Sequence, residues 1–172
     1  MRSDFPLKEK YGFHDLVQIM RVLRGPGGCP WDAQQTHASI RKNFIEETYE
    51  AIEAIDAADP VLLQEELGDV LLQVIYHAAM EEEQGSFSID DVCDGVCKKL
   101  VTRHPHIFGD IKADTAEEVL SNWEEIKQRE KGQKTATETL ESVPKVFPAL
   151  MRAEKIQKRA SRAGMDYDSL ND

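Results

Sequence analysis

The sequence predicts an all-α protein, a helical bundle built around an antiparallel helix pair that carries a cluster of carboxylates. Three observations predict it. Helix start and stop signals recur along the 172 residues, and no segment shows the alternation of a half-buried strand. Finally, Glu46-Glu47-Thr48-Tyr49-Glu50 and then Glu66-Leu67-Gly68-Asp69 place acids three residues apart on two consecutive helical stretches, which keeps each pair on one helix face.

In chain order, a first helix is expected from about Phe13 to Arg24. It stops at Gly25-Pro26-Gly27-Gly28-Cys29-Pro30, which cannot remain helical. The first arm of the carboxylate hairpin spans roughly Thr36 to Ala57. Asp59 then caps a second arm that carries Pro60 in its first turn and continues to about Gln84, with Gly85 ending it. Ser88-x-x-Asp91 resembles a capping box for a helix reaching about Arg103, and His104-Pro105 breaks that helix. Thr115-x-x-Glu118 starts another helix through Lys131. Residues 132–148 read as a linker, and a last helix follows within residues 149–164. Length suits one domain over residues 1–172, long enough to bury a core.

The hairpin can be tested on a wheel turning about 100° per residue. On the first arm, Ile40, Phe44, Thr48, Ala51, Ile52 and Ile55 form the expected core stripe. Glu47 and Glu50 fall on its shoulder, while Glu46 points further outward with Lys42. On the second arm the stripe is Leu63, Leu67, Val70, Val74 and Ala78, edged by a polar row of Glu66, Asp69, Gln73 and His77. If the arms fold together, Glu47, Glu50, Glu66 and Asp69 converge. Like charges at that range need compensating cations, and Mg2+ is a hard ion that takes oxygen ligands. Solvation, or pairing with Arg41 and Lys42, is the alternative.

A formal net charge of -11 disfavours nonspecific binding to nucleic acid or to an anionic membrane, because both need a basic surface. The sequence has neither a run of about 18 apolar residues nor a charged-then-apolar leader, so a cytoplasmic location is expected. Cys29, Cys93 and Cys97 lack the spacing of a zinc site and do not suggest a disulfide framework.

Other residues gain meaning beside the carboxylates. Lys99 and Arg103, four apart on one helix, suit the outer oxygens of a polyphosphate or else form a solvated basic face. Asn122, Trp123 and Lys127 share the next helix. There the indole can stack on a base or fill the core, and the amide and ammonium can reach polar groups. His104 and His106 flank a helix-ending proline, where histidines serve most often as caps or loop contacts. His77 reads as a satisfied core-edge residue.

Glu46-Glu47-x-x-Glu50, a 15-residue interval, then Glu66-x-x-Asp69 resembles the signature of the MazG family of nucleoside triphosphate pyrophosphohydrolases. Cys29-Pro30-Trp31-Asp32-x-x-Gln35-Thr36-His37 and Arg103-His104-Pro105-His106-Ile107-Phe108 resemble further segments of that family. The resemblance implies metal binding by Glu47, Glu50, Glu66 and Asp69. It also implies nucleotide contacts by Lys99, Arg103, Trp123 and Lys127, and a homodimer whose helices assemble the site between subunits. The implied reaction is Mg2+-dependent hydrolysis, with Mn2+ as the other candidate ion, of nucleoside triphosphates to monophosphate and pyrophosphate. Many members carry two such domains in tandem. The stretch from Ala149 to Gly164 resembles the passage into the second copy, yet no second carboxylate signature follows before Asp172.

The chemistry needs a carboxylate beside the ligands to orient or deprotonate water, and Glu46 is the candidate. Two other classes stay open. A carboxylate-bridged di-iron bundle wants Glu-x-x-His pairs, and here the fourth positions are Glu50 and Asp69. A noncatalytic helical module would use the acidic surface for a partner. Related all-α folds process dUTP or phosphoribosyl-ATP.

Overall fold

A computed structural model describes residues 5–130, 132 and 135–165. Among the described residues all regular structure is helical. The helices are α1 (Phe13–Arg24), α2 (Pro30–Gln34), α3 (His37–Asp56), α4 (Pro60–Glu83), α5 (Ile89–Arg103), α6 (Pro105–Phe108), α7 (Ala116–Glu130), α8 (Ala136–Glu141) and α9 (Ala149–Arg162). The chain divides into two compact units, residues 1–96 and 97–172, with the boundary inside α5.

In the first unit, local chemistry sets the helix ends. Thr36 caps α3 by accepting from the Ser39 amide at 3.2 Å, and the Asp59 carboxylate caps α4 by accepting from Val61 and Leu62. Between α3 and α4, Ala58 takes a left-handed φ of 52°, so the two helices double back after three residues. Ser88 and Asp91 close the predicted box at the start of α5. Gly28 is required by close approach, since a Cβ there would lie 2.2 Å from the Val22 carbonyl oxygen. This closure folds the glycine-proline loop back on α1, where the Cys29 amide donates to Leu23 O at 2.7 Å.

The core of this unit lies where α1 and α3 pack on α4. Met20 and Ile75 are the most deeply buried of a cluster that includes Val17, Ile40, Tyr76, Ala79, Met80 and Ile89. Burying such side chains stabilises by about 1.5–3 kcal/mol each. Along the edge, Arg21 and Arg24 of α1 each grip a carboxylate of α4, Glu82 and Glu83 respectively, with two hydrogen bonds. Arg24, with a side chain 5% exposed, also donates to the carbonyls of Asp32 and Gln35 and lies over the Tyr76 ring. The Tyr76 hydroxyl donates to the Asp32 carboxylate at 2.9 Å, and burial, with Asp32 beside it, pushes that hydroxyl's pKa up to about 12. The Arg24–Tyr76–Asp32 contacts thereby fasten α2 to α1 and α4.

One expectation about the hairpin is corrected. Thr48, Ile52 and Ile55, expected in the core stripe of α3, are exposed, as is Leu67 on α4. The row that faces α4 is Ile40, Phe44, Glu47, Ala51 and Ala54, with Ile40, Ala51 and Ala54 buried. Two small alanines allow close helix approach, and a wheel read from one chain cannot tell which of two adjacent apolar rows meets the partner helix. Ile45, Tyr49 and Ile52 form the other row and remain about half exposed.

In the second unit, Thr115 and Glu118 form the predicted box at the start of α7. The predicted end of that helix at Lys131 lies outside the described residues. The stretch read as a linker contains α8, capped by Thr135. Helix α8 packs on α9, where Arg159 donates to the Thr139 carbonyl and to the Ser142 hydroxyl. Val143 is the buried apolar side chain of this unit among the described residues.

Candidate metal centre

Because Glu47 stands in the row of α3 that faces α4, its carboxylate meets the polar edge of that helix. One oxygen from each of Glu47, Glu66 and Asp69 lies within 4.8 Å of the other two, and all three side chains are half-buried. Oxygens bound to one Mg2+ at about 2.0–2.1 Å stand no more than about 4.2 Å apart, close to this spacing, so the three carboxylates could hold a hard divalent cation. Glu50, one turn beyond Glu47, is more exposed and lies outside that triad, but its charge acts on both Glu47 and Glu66.

The electrostatics carry the mark of crowding. Burial raises the Glu47 carboxyl above its ordinary range, and the charges of Asp69 and Glu50 raise it further. Glu66 is raised in the same way, by desolvation first and then by Glu50 and Asp69. These shifts disfavour the ionised cluster, and a divalent cation would reverse them. One turn past Asp69, Gln73 is 7% exposed, and its Oε1 has no partner among the described residues.

The remaining predicted residues fall as follows. Glu46 sits on the outer face of α3, where it accepts from Lys42 at 2.6 Å, and it is not part of the carboxylate triad. His77 is satisfied, as expected. Its Nδ1 lies 2.7 Å from His37 Nδ1 with the two rings parallel, and His37 Nε2 lies 2.7 Å from Glu81.

In the second unit, Lys99 is exposed, whereas Arg103 is engaged. Its guanidinium donates twice to Glu130 and stands 6.0 Å from the centre of the Trp123 ring. Trp123 is half-buried, with His104 edge-on at 5.1 Å. The indole is thus neither wholly core nor wholly open. Asn122 is half-buried beside it in sequence, and Lys127 reaches Glu124 at 3.4 Å. His104 occupies the N-cap position of α6 without a side-chain cap hydrogen bond, and its Nδ1 lies 2.6 Å from the Leu100 carbonyl oxygen.

Sequence reasoning missed Glu130 as the partner of Arg103 and Tyr76 as the clasp on Asp32. Neither pairing has a local signal, since 27 and 44 residues separate the partners.

Comparison with known proteins bears on the same residues. Residues 35–108, which include all four predicted metal ligands, match the MazG nucleotide pyrophosphohydrolase domain. Residues 35–108 are thus a MazG-like segment of this chain. The chain is 47% identical over 156 residues to the nucleoside triphosphate pyrophosphohydrolase of Escherichia coli, covering 90% of this chain and 59% of that one. It is 48% identical over 155 residues to the nucleoside triphosphate pyrophosphohydrolase/pyrophosphatase MazG of Thermotoga maritima, with the same coverage. An uncharacterized protein of Bacillus subtilis, YabN, is 50% identical over 157 residues, 89% of this chain and 32% of that protein. The chain therefore spans between 32% and 59% of these relatives. Among solved structures, a mazG-related protein from Thermotoga maritima superimposes with a TM-score of 0.56 at 28% identity, covering 67% of this chain and 98% of that one. The MazG assignment and the helical fold expected from the carboxylate signature agree. No helix among the described residues is long and apolar enough to cross a membrane.

Proposed function

We propose that this MazG domain hydrolyses nucleoside triphosphates to nucleoside monophosphate and pyrophosphate with Mg2+ or Mn2+ bound. The observation that carries this reading is the convergence of Glu47, Glu66 and Asp69 on facing helices inside the matched region. The names of the relatives support the same chemistry. Glu47, Glu66 and Asp69 would hold the ion, with Glu50 as the fourth carboxylate. A bound Mg2+ supplies charge neutralisation for the phosphates and lowers the pKa of a water. The water oxygen attacks the α-phosphorus, the bond from that phosphorus to the bridging oxygen breaks, and pyrophosphate leaves. The water proton goes to a carboxylate next to the cluster. Glu46 would have to release Lys42 to take it, whereas Glu50 already stands beside Glu47. Lys99, Arg103, Asn122, Trp123 and Lys127 are the proposed nucleotide contacts.

A homodimer is part of this reading, and the half-exposed row Ile45, Tyr49 and Ile52 on α3 supports it as a surface that a second copy can cover. The substrate range is taken as broad across nucleoside and deoxynucleoside triphosphates. The test is product analysis across a triphosphate panel with Mg2+ in 18O-labelled water. Label in the monophosphate and release of pyrophosphate are expected. Orthophosphate with a nucleoside diphosphate as first products would refute it.

A further inference from the structure

A second constellation of charge lies in the unit of residues 97–172. Helices α7 and α9 and the segment before α9 line a partly open cavity of about 380 Å³. Phe147 and Met151 supply an apolar wall. The cations are Lys127 from α7 and Lys155, Lys158, Arg159 and Arg162 from α9, against the carboxylates of Glu124 and Glu154. Three positive charges are therefore left over, in a chain whose formal net charge is -11.

The partners separate structural cations from available ones. Arg159 is engaged in holding α8, and Lys158 pairs with Glu154 at 2.6 Å. Lys127 and Arg162 share a single acid, Glu124, at 3.4 and 3.0 Å. Burial pushes the Glu124 carboxyl up, but those two cations outweigh it and hold the carboxyl below its ordinary value. Lys155 makes no ion pair among the described residues, and its ammonium lies 5.9 Å from the centre of the Phe147 ring. Lys155 and Arg162, seven apart, lie two turns along one face of α9. A solvated basic helix face would not need a cation from α7 or an aromatic wall to complete it.

We propose that this cavity is a polyphosphate-binding site, with Lys127, Lys155 and Arg162 as its ligands and Phe147 as an apolar wall beside the phosphates. The inference rests on the triphosphate chemistry proposed above, and it extends the phosphate contacts to α9, which lies outside the matched residues 35–108. Ammonium and guanidinium donors form charge-assisted hydrogen bonds to phosphate oxygens. The three-charge surplus favours a polyanion over a single carboxylate.

The experiment is calorimetric titration of the full chain with sodium tripolyphosphate in EDTA at low salt. The variants are Lys155→Glu, which removes no observed ion pair, and Lys155→Ala/Arg162→Ala. Wild type should bind, and each variant should bind about tenfold more weakly or worse with unchanged helical circular dichroism. ATP in EDTA should compete and adenosine should not, which places recognition on the phosphates. Failure of wild type to bind tripolyphosphate, or equal binding by wild type and both variants, overturns the site. If wild type still releases pyrophosphate in that case, the proposed function stands without it. If instead tripolyphosphate binds through Lys155 and no triphosphate is hydrolysed, the site stands and the proposed function fails.

Discussion

The two units of this protein differ more in charge and burial than in secondary structure. Residues 1–96 hold 7 Lys and Arg against 19 Asp and Glu, whereas residues 97–172 hold 14 against 13. The acidic unit has the buried cluster around Met20 and Ile75, while in the other unit Val143 is the buried apolar side chain among the described residues. The difference teaches where each kind of chemistry can be placed. Crowded carboxylates raise one another's pKa and destabilise their surroundings, so they sit on the two helices with the firmest packing. Cations held by ion pairs and short helices form a looser unit, suited to a ligand that supplies the missing counter-charge.

The largest expected effect comes from breaking the acidic unit's triad. Asp69→Asn and Glu66→Gln should each lower Mg2+-dependent turnover about a hundredfold or more, because each removes a ligand and a charge at once. Circular dichroism should be unchanged, since neither residue belongs to the buried cluster. Near-wild-type turnover in both variants would remove the metal-site reading. Glu46→Gln beside Glu50→Gln separates the two candidates for the proton-accepting carboxylate, and the larger loss is expected for Glu50.

The contrast in packing has its own measurement. Amide hydrogen exchange should be slowest in α4 between Gln73 and Met80, the most continuously buried stretch of the chain. Amides of α7 and α9 should exchange about a hundredfold faster, because few apolar side chains oppose their opening. Equal protection in the two units would mean that charge, not burial, sets local stability here.

That contrast also shows what the sequence could disclose. The punctuation of the sequence predicts α1 from Phe13 to Arg24, as observed, and the arms of the hairpin to within about a residue of α3 and α4. Asp59, Ser88 with Asp91, and Thr115 with Glu118 act within three residues of themselves, which is why their caps are legible. The short helices α2, α6 and α8 have 5, 4 and 6 residues, too few to display a period. The meeting of Glu47, Glu66 and Asp69 could be anticipated because a hairpin needs only two periodic helices and a turn. The covering of Arg103 by Glu130, or the sharing of Glu124 by Lys127 and Arg162, could not be, because such pairs depend on how separate helices pack.

A smaller effect is expected at the clasp between α2 and α4. Tyr76→Phe keeps the ring and removes the hydroxyl that donates to Asp32. The loss should be about 1 kcal/mol in urea unfolding, with the denaturant slope unchanged. Mg2+ affinity should not move. A variant as stable as wild type would show that Arg24 alone holds α2 in place.

The smallest effect tests the crowding of the carboxylates by its sign. In EDTA, desolvation and the charges of Asp69 and Glu50 raise the Glu47 pKa in the folded protein. The folded state therefore holds a proton at pH values where the unfolded chain has lost it. Its contribution to stability then declines as pH rises from the ordinary glutamate range through the raised value. Above that window the folded protein carries the full repulsion, so Glu47→Gln should melt at a higher temperature than wild type at pH 8. As pH falls through the raised Glu47 pKa, wild type takes up its proton and the gap should close. Added Mg2+ should reverse the order at pH 8, because the ion stabilises the state that binds it and the variant has lost a ligand. Groups away from the cluster act on both proteins alike, so the difference between their melting curves reports on Glu47 together with the carboxylates coupled to it. A variant that melts below wild type at pH 8 in EDTA would show that Glu47 serves the fold through a favourable contact, and that the triad is not held together against its own charge.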